Sequence, residues 1–177
     1  MEVKETIRTR KCYRGMYLDK PVPREALREI LEAALAAPSG CNRQTVSAIA
    51  VDDPETLSAL GKALGFRHFA SAPAAVCILS EAKIAYGDVS FFKQDYGAAV
   101  ENAFLTITSL GMETCGVEGD ITGEPEIQAQ FEKILDLPEN LRMVCFLPVG
   151  YPAEEGKRRE KMPFESRAFF NRYGNHE

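Results

Sequence analysis

Apolar and polar residues alternate along the chain in patterns that predict four helices. Residues 23–37 open with a proline, which suits a first helical turn, and carry one apolar stripe at helical spacing. The stripe consists of Leu27, Ile30, Leu31, Ala34 and Leu35. Residues 53–64 and 124–135 also have helical patterns. Residues 94–110 are apolar around much of the helix circumference, so we expect a central, closely packed helix that Gly111 caps.

Short apolar runs between these helices predict four β-strands, at 46–51, 73–80, 112–119 and 143–152. Residues 81–93 are weakly patterned and predict a loop. The strands are few and unequally spaced, and no repeat or linker divides the chain. No glycine-rich phosphate loop follows the first strand, so neither a dinucleotide-binding βαβ unit nor a P-loop is supported. We therefore expect residues 1–177 to form a single α+β domain.

Composition and charge narrow the classes of partner. The 177 residues are 45% hydrophobic and 27% charged, an ordinary mixture for a globular domain. A net charge of -5 means that the chain as a whole repels nucleic acid and anionic membranes. No apolar run is long enough to span a membrane, and residues 1–20 lack an apolar signal core. We expect a cytoplasmic protein with no nucleic-acid or membrane partner, in which an anionic ligand must find a local basic cluster.

Cysteine and histidine spacing argues against metal or cysteine chemistry. The five cysteines are scattered singly without a CxxC pair, and the two histidines are His68 and His176. This spacing supports no zinc site, and no cysteine has an evident histidine partner for nucleophilic catalysis. Cys77 and Cys145 lie in apolar runs and are expected to be buried. The sequence predicts no metal ligand and no catalytic residue, and His68 is a pocket residue or, more simply, a surface histidine.

A cationic cluster near the N-terminus is the first candidate for binding chemistry. Arg10, Lys11 and Arg14 stand close together, with Cys12 between them. Such side chains can hold a phosphate dianion through charge-assisted hydrogen bonds. An isolated run of charges is more often a solvated face, and that alternative stays open for this cluster by itself.

Two loops are further candidates. Residues 37–44 concentrate hydroxyl and amide side chains at Ser39, Asn42 and Gln44. Amides both donate and accept hydrogen bonds, which suits the mixed edge of a heteroaromatic ring. Residues 116–119 form a glycine-bearing turn, where backbone N–H groups can approach a ligand closely. The alternatives are ordinary helix C-capping and turn chemistry for the first loop and a simple strand-to-loop turn for the second.

Four segments carry a more specific pattern when they are taken in chain order. They are IRTRKCYR, AAPSGCNRQ, DYGAAVENAFLTITSLGMETCGVEG and LPVGYPAEEGKRREKMPFES. In this order they resemble the FMN-dependent nitroreductase family over nearly the whole chain. The resemblance implies a nitroreductase-like α+β fold, with a central mixed, mainly antiparallel sheet flanked by helices. It also implies an intertwined homodimer that holds FMN at its interface.

The resemblance assigns roles to individual residues. The family's N-terminal phosphate-binding run corresponds to Arg10, Lys11, Cys12 and Arg14. Arg159 and Lys161 occupy the positions of its C-terminal basic pair, so the two chain ends would converge on one phosphate. The residues that resemble those reaching the flavin from the partner subunit are Pro38, Ser39, Asn42 and Gln44. Val117, Glu118 and Gly119 match the turn whose backbone faces the isoalloxazine near N5, where a donor stabilises negative charge on the reduced ring.

The chain departs from the family pattern in places that bear on the substrate. Cys12 stands where the family usually has a hydroxyl, which replaces one phosphate donor by a weak S–H. The excursion that often covers the substrate side of the flavin is short, at most residues 81–93. Its Tyr86, Phe91 and Phe92 are candidates to line a substrate pocket, and packing in the core is an equally open interpretation.

The resemblance implies an enzyme that passes hydride from NAD(P)H, through flavin N5, to a small oxidised acceptor such as a nitroaromatic or a quinone. Two alternatives remain within the resemblance, a reductive dehalogenase and an enzyme that fragments reduced flavin. A third is a module that binds or senses FMN without turnover. An aromatic tail supports the homodimer because it suits a clamp on a partner, although it could also pack on its own core. The tail residues are Phe164, Phe169, Phe170 and Tyr173.

Overall fold

The structure, a computed structural model that describes residues 2–65 and 71–176, places helices on both faces of a three-stranded sheet in the described ranges. The helices are α1 (Val3–Thr9), α2 (Arg24–Leu35), α3 (Pro54–Leu64), α4 (Phe92–Ser109), α5 (Gly119–Thr122) and α6 (Pro125–Ile134). The strands are β1 (Val46–Val51), β2 (Ala74–Ser80) and β3 (Arg142–Val149). His68 lies outside the described residues. No helix in the described ranges is long and apolar enough to cross a membrane.

The sheet is antiparallel, with β2 between β1 and β3. Every residue of β2 is buried, because alternate side chains point into two different cores. Val76 and Ile78 belong to a core that α2 and α4 complete, whereas Cys77 and Leu79 belong to a core that α3 and α6 complete. The α+β class and the mainly antiparallel sheet are therefore confirmed, and so is the burial of Cys77 and Cys145.

Helix α4 is the central element, as its apolar pattern predicts. It packs against α1, α2 and the sheet, and small residues at Ala99 and Ala103 allow close approach. Gly111 ends the helix at a φ of +73°. The Gly111 N–H donates to the Thr108 carbonyl at 3.0 Å, and the Met112 N–H donates to the Ile107 carbonyl at 3.1 Å. This is the paired bonding of a glycine-capped helix end.

The strand predicted at 112–119 is wrong. Two isolated antiparallel bridges replace it, one between Glu113 and Gly150 and one between Val117 and Phe146. Both bridges follow the same register, which would set Cys115 opposite Pro148. A proline has no N–H to donate, so the ladder is interrupted at its middle and no continuous strand forms.

Helix α1 is an element that the hydrophobic pattern does not predict. Its two large apolar residues, Val3 and Ile7, are 72% and 53% exposed, and Thr6 is the residue that it buries. A helix whose apolar residues face solvent has no stripe directed at its own core, so periodicity gives no signal for it.

Candidate functional site: a cation cleft and two anchored loops

The two chain ends meet side by side. The N–H of Leu18 donates to the carbonyl of Tyr151 at 2.9 Å, and the N–H of Ala153 donates to the carbonyl of Met16 at 2.9 Å. This short backbone pairing directs the segment after Ala153 back toward the N-terminal cluster. The convergence of the two ends, which the resemblance implies, is thus built by main-chain hydrogen bonds.

A glycine permits the close approach that follows. A Cβ at Gly156 would lie 2.7 Å from Lys11 Cε and 2.8 Å from the Tyr13 ring. Tyr13 is almost completely buried, and its ring cannot yield easily. The C-terminal segment therefore rests directly on the stem of Lys11.

The meeting of the ends forms a cleft of about 220 Å³, which we call the cation cleft. Its lining residues are Arg10, Lys11, Cys12, Arg14, Lys157, Arg158, Arg159 and Lys161. All six residues that the sequence assigns to phosphate binding at the two ends are among them. Lys157 and Arg158 were not assigned, although the basic run KRREK is a signal that could have included them. Among the residues that the structure describes, no acidic side chain lines this cleft.

Two of the cations are already engaged with carboxylates. Arg10 Nε lies 3.4 Å from Glu101 on α4, and its guanidinium stands 5.5 Å from the centroid of the Phe104 ring. Lys11 forms an ion pair with the largely buried Glu113. In the described ranges, Arg14, Arg159 and Lys161 have no ion-pair partner, so the cleft keeps a surplus of positive charge.

The positive charge of the cleft lowers the pKa of Cys12. The pKa of its thiol is lowered to about 6, first by a hydrogen bond from the Cys115 thiol and then by the charges of Arg14, Arg10 and Lys161. The pKa of Cys115 is raised well above its ordinary value, because it donates that hydrogen bond and is buried. The surroundings of Cys12 therefore favour the thiolate form of its side chain.

The cleft fits the phosphate of FMN. Its donors are guanidinium and ammonium groups, the side chains that bind a phosphate dianion through charge-assisted hydrogen bonds. Arg10 Nε is buried without a hydrogen-bond partner in the described part of the chain, because its contact with Glu101 lacks hydrogen-bond geometry. A buried donor without a hydrogen bond, on a residue that lines a cationic cleft, remains available to an anionic acceptor.

The first loop, residues 38–44, carries a strained backbone. It contains a short 3-10 turn, Gly40–Asn42, and three residues with positive φ. These are Cys41 at 50°, Asn42 at 54° and Gln44 at 50°. Residues other than glycine rarely adopt this conformation, and it persists only where surrounding contacts enforce it.

Asp95, on the first turn of α4, supplies those contacts. Its side chain is 4% exposed, and its two carboxylate oxygens accept from Gly40 N–H at 2.9 Å and Thr45 Oγ1 at 2.7 Å. Asp95 is not among the site residues that the sequence predicts. A signal was present, because Asp95 shares helical spacing with the buried Ala99 and Ala103, and a charge on a buried stripe requires a specific partner.

Within the loop, Ser39 has a local role. Its Oγ accepts a hydrogen bond from Gln44 N–H at 2.9 Å, which is the turn chemistry that the sequence analysis left open as an alternative. Pro38, Ser39 and Gln44 line a second cavity of about 450 Å³, and Asn42 is exposed. None of the four lines the cation cleft, so one chain does not bring this loop into that cleft.

The second loop, residues 116–119, is tied to β3 and to α4. Val117 exchanges both backbone hydrogen bonds with Phe146, each at 2.9 Å, so its N–H is already used. Glu118 accepts a hydrogen bond from the Tyr96 hydroxyl at 2.7 Å. In the described ranges, the N–H groups of Glu118 and Gly119 have no acceptor, which leaves them as the donors that this turn offers to a ligand.

Asp95 and Tyr96 are consecutive, so one turn of α4 fixes both loops. We call this pair of residues, with the hydrogen bonds that they make, the α4 anchor. Burial, and secondarily the carboxylate of Glu118, raise the pKa of Tyr96 to about 12. The phenol therefore keeps its proton, and its role as hydrogen-bond donor, at neutral pH.

The three aromatic residues predicted to line a substrate pocket lie in different surroundings. Tyr86 is 75% exposed. Phe91 packs so closely over Gly40 that a Cβ there would lie 2.5 Å from its ring. Phe92 packs against the core that includes α2 and α4, with its ring centroid 6.2 Å from that of Tyr96.

The fold and the cation cleft are those expected of a nitroreductase-like α+β protein. Comparison with known proteins leads to the same class. The model described as Nitroreductase family matches residues 7–66 and 62–151. An Archaeoglobus fulgidus protein provisionally named NADH dehydrogenase/NAD(P)H nitroreductase is 31% identical over 155 residues, which cover 87% of this chain and 87% of that protein. The chain belongs to the nitroreductase family.

Two solved structures extend the agreement to the fold. A crystal structure from Bacteroides thetaiotaomicron, also provisionally named NADH dehydrogenase/NAD(P)H nitroreductase, matches with a TM-score of 0.84 and 26% identity. The match covers 97% of this chain and 98% of that one. The structure of an FMN-dependent nitroreductase from Clostridium difficile matches with a TM-score of 0.80 and 26% identity, over 95% of this chain and 98% of that one.

Proposed function

We propose that this chain is an FMN-dependent NAD(P)H oxidoreductase that reduces a small oxidised acceptor, such as a nitroaromatic or a quinone. The observation that carries the proposal is the cation cleft of an acidic protein, whose described lining residues include seven cations and no carboxylate. The names of its relatives, which include an FMN-dependent nitroreductase, support the same activity. No catalytic side chain is required, because bound FMN supplies hydride acceptance and donation at N5 of its ring.

The cation cleft would hold the phosphate. Arg14, Arg159 and Lys161 are free to donate to it, and Arg10 would direct its unsatisfied Nε–H there. Lys11 would contribute charge while it remains paired with Glu113. Cys12 lies between these cations, and a bound dianion would favour the protonated thiol over the thiolate.

The two anchored loops would hold the ring. Pro38, Ser39, Asn42 and Gln44 form a rigid, strained edge whose polar groups can meet the hydrogen-bonding edge of a flavin. In the turn of Val117, Glu118 and Gly119, the N–H groups of the last two are free to stabilise negative charge on a ligand. The α4 anchor holds both loops in advance, which lowers the cost of ordering them on binding.

We further propose that two copies of the chain assemble into a homodimer that shares its FMN sites. The first loop and the cation cleft line separate cavities in one chain, which supports a loop that serves the partner's cleft. Large apolar side chains are also left exposed on α1 and along the C-terminal tail. They are Val3, Ile7, Phe164, Phe170 and Tyr173. Light scattering on the FMN-loaded protein should return a dimer, and a monomer would overturn the shared-site proposal.

Tyr86, Phe91 and Phe92 are proposed as the aromatic side of the acceptor pocket. Their position just before and at the start of α4 supports this role, since the α4 anchor orders the same region. We infer a cytoplasmic location from the five unpaired cysteines, which suit a reducing compartment.

The first test is the visible absorption spectrum of the purified protein, with mass identification of anything released on heating. We expect a yellow protein that releases FMN and whose absorption bleaches anaerobically on addition of NADH or NADPH. Subsequent addition of a quinone should restore the colour. A colourless protein that takes up no added FMN contradicts the proposal, and a yellow protein that neither nicotinamide bleaches would be a binding module without turnover.

A further inference from the structure

The hydroxyl of Tyr96 reaches the second loop from the core. Tyr96 is 7% exposed, belongs to the core that α2 and α4 complete, and has its ring centroid 6.2 Å from that of Phe92. Its hydroxyl donates a hydrogen bond to a carboxylate oxygen of Glu118 at 2.7 Å. A ring that is packed in the core has a fixed position. The hydrogen bond therefore holds the flexible side chain of Glu118 at one place beside α4.

The backbone of Glu118 is fixed on one side and free on the other. Its carbonyl accepts hydrogen bonds from the N–H groups of Ile121 and Thr122 at 2.9 and 2.8 Å. Its own N–H and that of Gly119 have no acceptor among the described residues. The residue that offers an N–H group to a ligand is therefore also the residue whose carboxylate Tyr96 holds.

A carboxylate at this turn opposes a ligand that gains negative charge. Covalent geometry keeps the carboxylate of a glutamate within about 6 Å of its own N–H group. Among the described residues, no lysine or arginine pairs with Glu118, and the phenol of Tyr96 is the hydrogen-bond donor to its side chain. This hydrogen bond disperses part of the negative charge and keeps the carboxylate at α4. Without it, the charge is free to move toward a ligand bound beside the turn.

We propose that Tyr96 is a positioning residue that raises the reduction potential of FMN bound beside the second loop. This role rests on the proposed function, in which the N–H groups of Glu118 and Gly119 stabilise negative charge on the reduced ring. These N–H groups favour the reduced form, and a nearby carboxylate disfavours it. Tyr96 strengthens the first effect because it keeps the turn in place, and it weakens the second because it holds the carboxylate at α4.

The experiment measures the Kd for oxidised FMN and the midpoint potential of bound FMN, both in the full chain. Fluorescence titration gives the Kd, and anaerobic titration with dithionite beside a reference dye gives the potential. Tyr96→Phe should weaken the binding of reduced FMN about tenfold more than that of oxidised FMN, which lowers the potential of this two-electron couple by about 30 mV. Glu118→Gln removes the charge and keeps an acceptor for the phenol, so it should raise the potential. When Tyr96→Phe is added to Glu118→Gln, its effect should shrink to less than about threefold, because no carboxylate is left to hold.

Two control variants separate this role from general effects. Tyr173→Phe removes an exposed phenol and Glu126→Gln an exposed charge on α6, and neither should change the potential. A purely structural role for Tyr96 would weaken the binding of both redox forms equally and leave the potential unchanged, which would overturn the proposal. A fall in potential on Glu118→Gln would also overturn it, and in both cases FMN still binds and the proposed function stands. A chain that binds no FMN would overturn the proposed function and this inference together.

Discussion

The cation cleft and the α4 anchor serve one proposed ligand but are stabilised by opposite means. The cleft joins distant chain ends, is open to solvent and gathers like charges that repel one another. The α4 anchor is buried, joins its loops through three hydrogen bonds at 2.7 to 2.9 Å and enforces a strained backbone. The contrast indicates that the cleft supplies affinity at some cost to the fold, whereas the anchor supplies order and is part of the fold.

The largest expected effect comes from removing the anchoring carboxylate, which tests whether the α4 anchor stabilises the fold. Asp95→Ala leaves Gly40 N–H and Thr45 Oγ1 without their acceptor, and the strained loop loses its support. We expect the free energy of unfolding to fall by about 3 kcal/mol, as measured by urea denaturation. Asp88→Ala, at an exposed position outside any ion pair in the described ranges, is the matched control and should change it by less than about 0.5 kcal/mol. If the two variants change the free energy of unfolding equally, Asp95 does not anchor the first loop.

The converse test removes a cation from the cleft. Arg159→Ala should raise the Kd for FMN about tenfold while leaving the free energy of unfolding within about 0.5 kcal/mol of the starting protein, because an exposed charge is lost. Fluorescence titration of FMN gives the first quantity and urea denaturation the second. The loss should shrink as ionic strength rises, since salt screens exposed charges. Arg172→Ala, in the exposed tail, should leave the Kd unchanged; a rise in Kd as large as that caused by Arg159→Ala would argue against a localised cleft.

A smaller effect is expected when the α4 anchor loses only its contact with the second loop. Tyr96→Phe removes the hydrogen bond to Glu118 and keeps the ring, so we expect a loss of about 1 kcal/mol in the free energy of unfolding. Tyr173→Phe is the control, because Tyr173 is 92% exposed. If Tyr96→Phe changes the free energy of unfolding no more than its control does, the hydrogen bonds between Val117 and Phe146 are sufficient to hold the second loop.

The reactivity of Cys12 measures the positive charge in the cation cleft. In ligand-free Cys41→Ser protein, which lacks the other exposed cysteine, the rate of Cys12 alkylation should rise about tenfold per pH unit up to about pH 6 and then level off, because the pKa of Cys12 is lowered to about 6. Arg14→Ala should move the midpoint upward. A rate that keeps climbing through pH 8 would mean that the cations do not act on this sulfur.

Periodicity predicted the elements whose apolar side chains face their own core. The boundaries of β1 at Val46–Val51 were obtained from the sequence without error, and α2, α3, α4 and α6 within two residues at their starts. It failed where pairing depends on a distant residue. The run at 112–119 has the composition of a strand, but Pro148, on another strand, decides whether the ladder can form.

The site, like the fold, was predicted only in part. The order of the motifs predicted that the basic residues at the two chain ends bind one phosphate, and all six of those residues line the cation cleft. The helical spacing of Asp95 with Ala99 and Ala103 indicates a buried carboxylate. Its two partners lie about fifty positions away, and no local pattern identifies them. The sequence carries the chemistry of the binding residues, and tertiary structure is needed to find the residues that hold them.

The place of β1 in the sheet has a consequence for the handling of this protein. Within the described residues β1 pairs only with β2, so its other edge is open, and its sequence VSAIAV has neither charge nor proline. Short uncharged apolar strands with an open edge are templates for intermolecular cross-β stacking. Chains that accumulate faster than a neighbour can cover this edge would therefore aggregate through it, which makes the yield of native protein depend on synthesis rate and concentration.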